Sequence, residues 1–222
     1  MKFLIFGAGG SIGNYIYNEF IKNHKIYGTS TKLNTEYLNV TIENMDSLLD
    51  IDSVDGVVWA NGANINDNLT TFNLQSYNKI MDANVSFILK TVNFLVHHNK
   101  LNQNANLVII SSIYESVTRA NKLSYSISKT ALKALTSNLS FDLGRKNILI
   151  NNILPGVLDN SMTRSTLSQK EIDFIINHTP GSRLINFFDI FNTVEFFLLK
   201  NTGITGQSIK IDLGFTNFIS YQ

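Results

Sequence analysis

The opening of the chain constrains it most. Lys2 to Phe6 is a short apolar run that stops at Gly7-Ala8-Gly9-Gly10-Ser11-Ile12-Gly13. Asn14 to Lys22 then carries Tyr15, Ile16, Phe20 and Ile21 at helical spacing. Buried strand, glycine turn and helix, in that order, begin an open α/β sheet. Glycines let a backbone approach a phosphate closely, and a helix N-terminus offers free N–H groups and a positive dipole end. Gly7, Gly10 and Gly13, with Ser11 and Ile12 between them, are therefore the candidate pyrophosphate cradle. Their spacing is not the commonest dinucleotide fingerprint, and a tight turn without a ligand would read the same way. Gly9 to Gly13 also fits Gly-x-Ser-x-Gly, the elbow that presents a serine nucleophile. That reading fails physically. No earlier strand-loop exists to supply a second oxyanion donor, and His97, His98 and His178 lack a clear acidic partner.

Apolar strands and amphipathic stretches alternate down the chain. Strands are expected at Lys25 to Thr29, Leu38 to Thr41, Val54 to Ala60, Asn106 to Ile110 and Ile148 to Leu154. Helices are expected at Glu43 to Leu49, Leu74 to His97, Asn121 to Gly144 and Phe187 to Leu199. Asn84 interrupts the apolar face of the long second one, and a buried asparagine must satisfy its amide. One reading is a local cap. The other is a kink that holds a water in a proton chain. The pattern predicts an α/β fold, a doubly wound parallel sheet of about seven strands with helices on both faces. One domain over residues 1–222 suits this length.

Composition narrows the function. Lys plus Arg is 18 against 17 for Asp plus Glu, so the basic surface that nucleic acid or anionic membrane requires is missing. No stretch is long enough to span a bilayer, and the opening apolar run lacks a cleavage site for a signal peptide. With no cysteine there is no disulfide, thiolate metal site or Cys nucleophile, and no metal is expected. A cytoplasmic home is compatible. Asparagine is very abundant, which reads as a nucleotide bias of the source genome without functional content.

Tyr125 and Lys129 lie four apart in a helical stretch, so phenol and ammonium share a face. A fixed positive charge favours phenolate and makes tyrosine a usable acid-base group. Chance alone yields about half such a pair in a chain with 8 Tyr and 14 Lys, so its companions must carry the argument. Catalytic groups in open α/β sheets collect at the carboxyl ends of strands, where Ser112 sits. About twenty residues past the glycines an NAD site wants an acid. This chain has Ser30-Thr31-Lys32 there, two hydroxyls and an ammonium suited to a 2′-phosphate. NADP(H) is therefore expected over NAD(H). Asn39 and Val40, Asn61 and Gly62 are further candidate cofactor contacts.

With these pieces placed, the sequence resembles the short-chain dehydrogenase/reductase family over nearly its whole length. Ser112 lies 13 residues before Tyr125, and Asn84 lies 28 before Ser112. With Lys129 this is similar to the family's Asn-Ser-Tyr-Lys tetrad. Asn151 to Gly156 is similar to its Pro-Gly motif, and Thr205 to Asp212 to its last strand. The departures are Ser11 in place of a glycine, Trp59-Ala60-Asn61-Gly62 for Asn-Asn-Ala-Gly, and Asp212-Leu213-Gly214 for Asp-Gly-Gly. The resemblance implies a Rossmann-type sheet and hydride transfer at a nicotinamide. Tyr125 would protonate the carbonyl oxygen, Ser112 would fix it, Lys129 would bind ribose and stabilise phenolate, and Asn84 would tie Lys129 to solvent. Pro155, Gly156, Val157 and Leu158 would flank the nicotinamide. A lid is expected over about 157–180. Its polar residues, Asn160, Ser161, Thr163, Arg164, Ser165 and Thr166, suggest a small polar substrate: a keto-sugar, a hydroxy-carbonyl or a 3-oxoacyl compound. Tyr114 and Glu115 are expected to face it. A homodimer or homotetramer is implied. The alternatives are a nucleotide-sugar epimerase or dehydratase, which needs a larger C-terminal region, and an idle NADP(H) sensor, which has no need of the four tetrad residues.

Overall fold

Seven apolar segments pair into one parallel sheet in the computed structural model, which describes residues 1–32 and 36–217. The strands are β1 (Lys2–Phe6), β2 (Lys25–Ser30), β3 (Leu38–Asn39), β4 (Val54–Trp59), β5 (Leu101–Ile110), β6 (Leu149–Pro155) and β7 (Ser208–Ile211). Their order is β3-β2-β1-β4-β5-β6-β7. The switch from leftward to rightward winding falls between β1 and β4, where open α/β sheets bind ligands. β1 and β4 are buried along nearly all their length, as strands covered on both faces must be.

Two helical layers do the covering. α1 (Ser11–Phe20) and α7 (Phe187–Leu199) bring Ile16, Phe20, Ile190, Val194 and Phe197 onto one face. α3 (Phe87–His97) and α4 (Leu123–Gly144) bring Ile88, Val92, Leu95 and Leu132 onto the other. Between α2 (Leu74–Met81) and α3 the backbone makes one π-helical stretch, Asp82–Ser86, so the expected single helix is broken at Asn84. α5 (Ser161–Thr166) and α6 (Gln169–Asn177) occupy the excursion between β6 and α7. No described helix is long and apolar enough to cross a membrane.

Trp59, which departs from the family pattern, is fully buried. Its ring stacks on Phe6 with centroids 5.5 Å apart, and its Nε1 donates to Thr91 Oγ1 at 2.8 Å. The large apolar ring fills the core while its one polar atom finds a partner.

Two expectations need correction. The helix expected over Glu43 to Leu49 is a single 3₁₀ turn, Asp46–Leu48. Thr41 Oγ1 accepts from the amides of Glu43 and Asn44, and Asn44 Oδ1 from that of Asp46. Side-chain acceptors thus take the N–H groups a helix would have organised. β5 begins at Leu101, earlier than expected, and accommodates a register shift against β4 between Val54 and Gly56. The asparagine surplus also has structural content. Asn99, Asn104, Asn121 and Asn147 hold left-handed backbone, φ 54°, 65°, 59° and 54°, which asparagine tolerates better than most residues.

The first turn is the tightest point. A Cβ on Gly13 would lie 2.2 Å from the Gly7 carbonyl oxygen, and Gly7 has φ +78°. Gly13→Ala should therefore lower stability by about 2 kcal/mol in urea unfolding, as overpacking against backbone does. Alanine's better helix propensity, about 1 kcal/mol, would dominate instead if the variant proved more stable.

Candidate active site

The carboxyl ends of β1, β2 and β4 open into a cleft of about 800 Å³, within the usual range for small-molecule sites. Gly7, Gly9 and Gly10 form one wall, Ser30, Thr31 and Lys32 another, and Asn61, Gly62 and Ala63 the floor. Gly10 caps α1 without any side-chain hydrogen bond to the helix's first amides. That leaves a donor-rich, positively polarised end suited to an anion. Space is tight where a ligand's phosphates would pass. A Cβ on Gly7 would meet the Asn61 amide nitrogen at 2.7 Å, and one on Gly9 would touch Ser30 Oγ at 3.4 Å. Asn61 Nδ2 donates to the Ala83 carbonyl at 3.0 Å, whereas its Oδ1 is buried without a partner. A first turn where position 7 admits only glycine, an uncapped helix and an orphaned acceptor suit a dinucleotide.

Not every expected contact reaches this cleft. Ser11 is exposed on α1, Ile12 packs against the core, and Gly13 is pressed onto Gly7. Asn39 Nδ2 leans on the Ser30 and Thr31 carbonyls, 3.5 and 3.4 Å away, and so steadies the loop. Val40 is wholly buried with its N–H bonded to Ser30 O; Thr41, Ile42 and Glu43 line the cleft in its place. Gly156 N donates to Ile211 O at 2.8 Å beside Pro155, the last residue of β6. Leu158 joins the core, and Val157 lines a separate cavity.

The catalytic candidates converge. Ser112 stands two residues past the end of β5, where its Oγ accepts from the Tyr114 N–H at 3.3 Å and lies near enough to the Tyr125 hydroxyl to favour its phenolate. Asp67, far away in sequence, caps α4: Ser124 N donates to its Oδ1 at 3.0 Å and Ser124 Oγ to its Oδ2. A carboxylate at a helix N-terminus is favourable, and it fixes the turn that carries Tyr125. Lys129 Nζ lies 5.7 Å from the Tyr125 ring centroid and donates to Ile110 O at 3.3 Å. Asn84, swung inward by the π-helical stretch, accepts from Ala63 N at 2.7 Å. Its Nδ2 donates to Ala63 O at 3.0 Å and to Ser128 Oγ at 2.9 Å. It therefore ties the cleft floor to α4 directly.

Electrostatics depart from the expectation of a phenol made acidic by its neighbour. Burial pushes Tyr125 up to about 12, the nearby Ser112 hydroxyl only partly offsetting it. Burial also brings Lys129 down to about 8. Desolvation disfavours both charged forms, and an ammonium over the ring face is poorly placed to favour an oxyanion.

Beyond Tyr114, whose ring meets Tyr125 edge-on at 5.9 Å, lies a second cavity of about 510 Å³. Ile113, Val117, Val157, Phe174, Ile175 and Phe215 make it apolar. The polar residues of α5 do not line it. Ser161, Arg164, Ser165 and Thr166 are exposed, and Arg164 forks onto Asp159 at 2.7 and 2.8 Å. Glu115 faces neither cavity; it is buried. Sequence reading missed Ala63, Ser128 and Asp67, which act through long-range contacts that no local pattern announces. Among the described residues no cluster of three His, Asp or Glu could hold a metal ion.

Lys129 also sets a pH dependence. Its ordinary value of 10.5 drops to about 8 on folding, so between those limits the unfolded chain binds a proton that the folded one releases. Stability from this group therefore rises with pH across that window, by at most about 1.4 kcal/mol per pH unit. Lys129→Met should flatten that rise in urea titrations at pH 8, 9 and 10; equal slopes in both proteins would refute the assignment.

Comparison with known proteins agrees with this geometry. A family model described as enoyl-(acyl carrier protein) reductase matches residues 35–216. The 3-oxoacyl-[acyl-carrier-protein] reductase of Buchnera aphidicola is 26% identical over 205 residues, 91% of this chain and 82% of that protein. The 7alpha-hydroxysteroid dehydrogenase of Clostridium sardiniense is 27% identical over 153 residues, 68% of this chain but only 58% of that one. A short chain dehydrogenase family protein from Francisella tularensis superposes with a TM-score of 0.87 at 24% identity, covering 98% of this chain and 99% of its own. Solved neighbours at 22% and 17% identity hold NADP. The cleft, the converging serine, tyrosine and lysine, and these relatives lead to one assignment: the chain belongs to the short-chain dehydrogenase/reductase family of oxidoreductases.

Proposed function

We propose that the protein is an NADP(H)-dependent carbonyl reductase that works with Tyr125 as proton donor. The observation that carries this reading is the meeting of Ser112, Tyr125 and Lys129 beside a glycine-walled cleft. Gly7, Gly9, Gly10, Ser30, Thr31, Lys32 and Asn61 would hold the dinucleotide, which supplies hydride from its nicotinamide ring when bound. Ser30 and Lys32 favour NADP(H) over NAD(H), since hydroxyl and ammonium suit a 2′-phosphate.

Burial keeps Tyr125 protonated at neutral pH, the state a proton donor needs for reduction. Ser112 Oγ positions the carbonyl oxygen that receives it. Lys129 would bind the ribose hydroxyls beside the nicotinamide with its ammonium. Asn84 acts on the framework, since its amide is engaged by Ala63 and Ser128. Of the substrates the sequence suggests, the apolar cavity favours the 3-oxoacyl type over keto-sugars. The similarity to a 3-oxoacyl reductase supports the same choice. The reading includes a homodimer or homotetramer in the cytoplasm, with a small-molecule substrate and no nucleic-acid or membrane partner.

Oxidation of NADPH followed by absorbance, with 3-oxoacyl thioesters against keto-sugars, tests the proposal. Tyr125→Phe should lower kcat by about 10²- to 10⁴-fold, and near-normal turnover would remove the proton-donor role. Lys32→Glu should weaken NADPH binding about tenfold by placing a carboxylate at the 2′-phosphate, while NADH is little affected. Tighter binding of NADH than NADPH by the unaltered protein would overturn the cofactor choice.

A further inference from the structure

The departure Asp212-Leu213-Gly214 from the family pattern opens the turn that follows β7 and runs on through Phe215 and Thr216. Asp212, only 6% exposed, organises this turn. Its Oδ1 accepts from Gly214 N at 3.0 Å. Its Oδ2 accepts from Thr216 N at 3.0 Å and from Thr216 Oγ1 at 2.5 Å. Its carbonyl accepts from Phe215 N at 3.0 Å. These bonds fix the backbone on both sides of Phe215.

Leu213 holds left-handed backbone, φ 54°, which glycine adopts freely and leucine seldom does. Such a conformation persists where the surroundings over-determine it. Here the neighbour is the root of the lid, the segment that follows α6. A Cβ on Gly181 would come within 2.9 Å of Leu213 Cβ, and one on Gly214 would lie 3.1 Å from Pro180 Cγ. Gly181 N also donates to Leu213 O at 3.4 Å. Two glycines therefore let the turn and the lid root interlock.

Both parts contribute to one cavity. Phe215 from the turn, and Phe174 and Ile175 from α6, line the apolar cavity together with Ile113 and Val117. Tyr114 lines it too and meets Tyr125 at 5.9 Å, so the cavity begins one ring away from the proposed proton donor. Of the charged residues at its edge, Arg119 and Glu171 pair with each other at 3.1 Å, and Lys170 is exposed. A substrate tail that passes Tyr114 thus meets apolar side chains, where each packed methylene strengthens binding.

We propose that Phe215 is a specificity-determining residue: the turn after β7 holds its ring as a wall of the cavity, where it packs against the tail of an apolar carbonyl substrate. The inference rests on the proposed carbonyl reduction and names the part of the chain that selects the tail.

The test is the ratio of kcat/KM for two N-acetylcysteamine thioesters with NADPH, 3-oxooctanoyl over 3-oxobutanoyl. The first carries a pentyl tail where the second has a methyl group. Phe215→Ala should lower the ratio about tenfold, because the longer tail loses a packing partner in the transition state. Phe215→Leu, which stays apolar, should lower it about threefold. A purely structural role would weaken both substrates alike. An unmoved or increased ratio in a folded Phe215→Ala protein would overturn the inference. If that variant does not fold, Phe215→Leu decides in the same way. A second measurement needs no reaction. 1-Octanol, titrated into the protein without nucleotide, should shift the δ-methyl NMR signals of Ile113 and Ile175, and Phe215→Ala should weaken its binding at least about threefold. Signals that stay still in the unaltered protein, or equal affinity in both proteins, overturn the inference equally. If the unaltered protein reduces neither thioester, the functional reading fails, and the octanol titration still tests the cavity wall by itself.

Discussion

One side-chain amide holds the two halves of the site in register. Asn84 bonds both backbone groups of Ala63 and the hydroxyl of Ser128, joining the loop after β4 to the helix that carries Tyr125 and Lys129. It can do so because the backbone makes a π-helical stretch there, a feature that re-aims side chains and recurs at functional sites. Each such hydrogen bond contributes about 1 kcal/mol net, but leaving a buried partner unsatisfied costs about 1–3 kcal/mol. Cleft floor and α4 are therefore one mechanical unit. Glycine at position 62 is part of it, since a Cβ there would crowd Asn84 Oδ1 at 3.2 Å.

Burial sets the chemical state of this unit. It drives phenol and ammonium in opposite directions, each toward neutrality. Their opposing shifts widen the pH range over which tyrosine keeps its proton and bring the lysine titration close to physiological pH. Of the two charges, the ammonium is the more easily lost as pH rises.

Much of this was legible from residues alone, for a physical reason. Strands buried on both faces must be apolar runs, so six of the seven announced themselves, and glycines at the first turn marked the cleft. Ser112, Tyr125 and Lys129 were readable because strand end and helix face fix their positions locally. The failures come from side-chain contacts that residue spacing does not show. Thr41 and Asn44 diverted the backbone from helix with side-chain acceptors, an outcome that composition does not reveal. The polar residues of α5 were assigned to a pocket, but the cavity is lined from this region by α6, through Phe174 and Ile175. Glu115 looked like a pocket residue because its partners, Asn152 and Ser208, lie 37 and 93 positions further on.

That last separation bears on how the enzyme comes into being. A ribosome delivers the glycine turn, the tyrosine and the lysine long before it delivers β7. Until Ser208 docks beside β6, Glu115 lacks one of its two donors, and a half-solvated carboxylate resists enclosure. Enclosure of that carboxylate thus waits for the final strand, after every candidate catalytic side chain has already been synthesised.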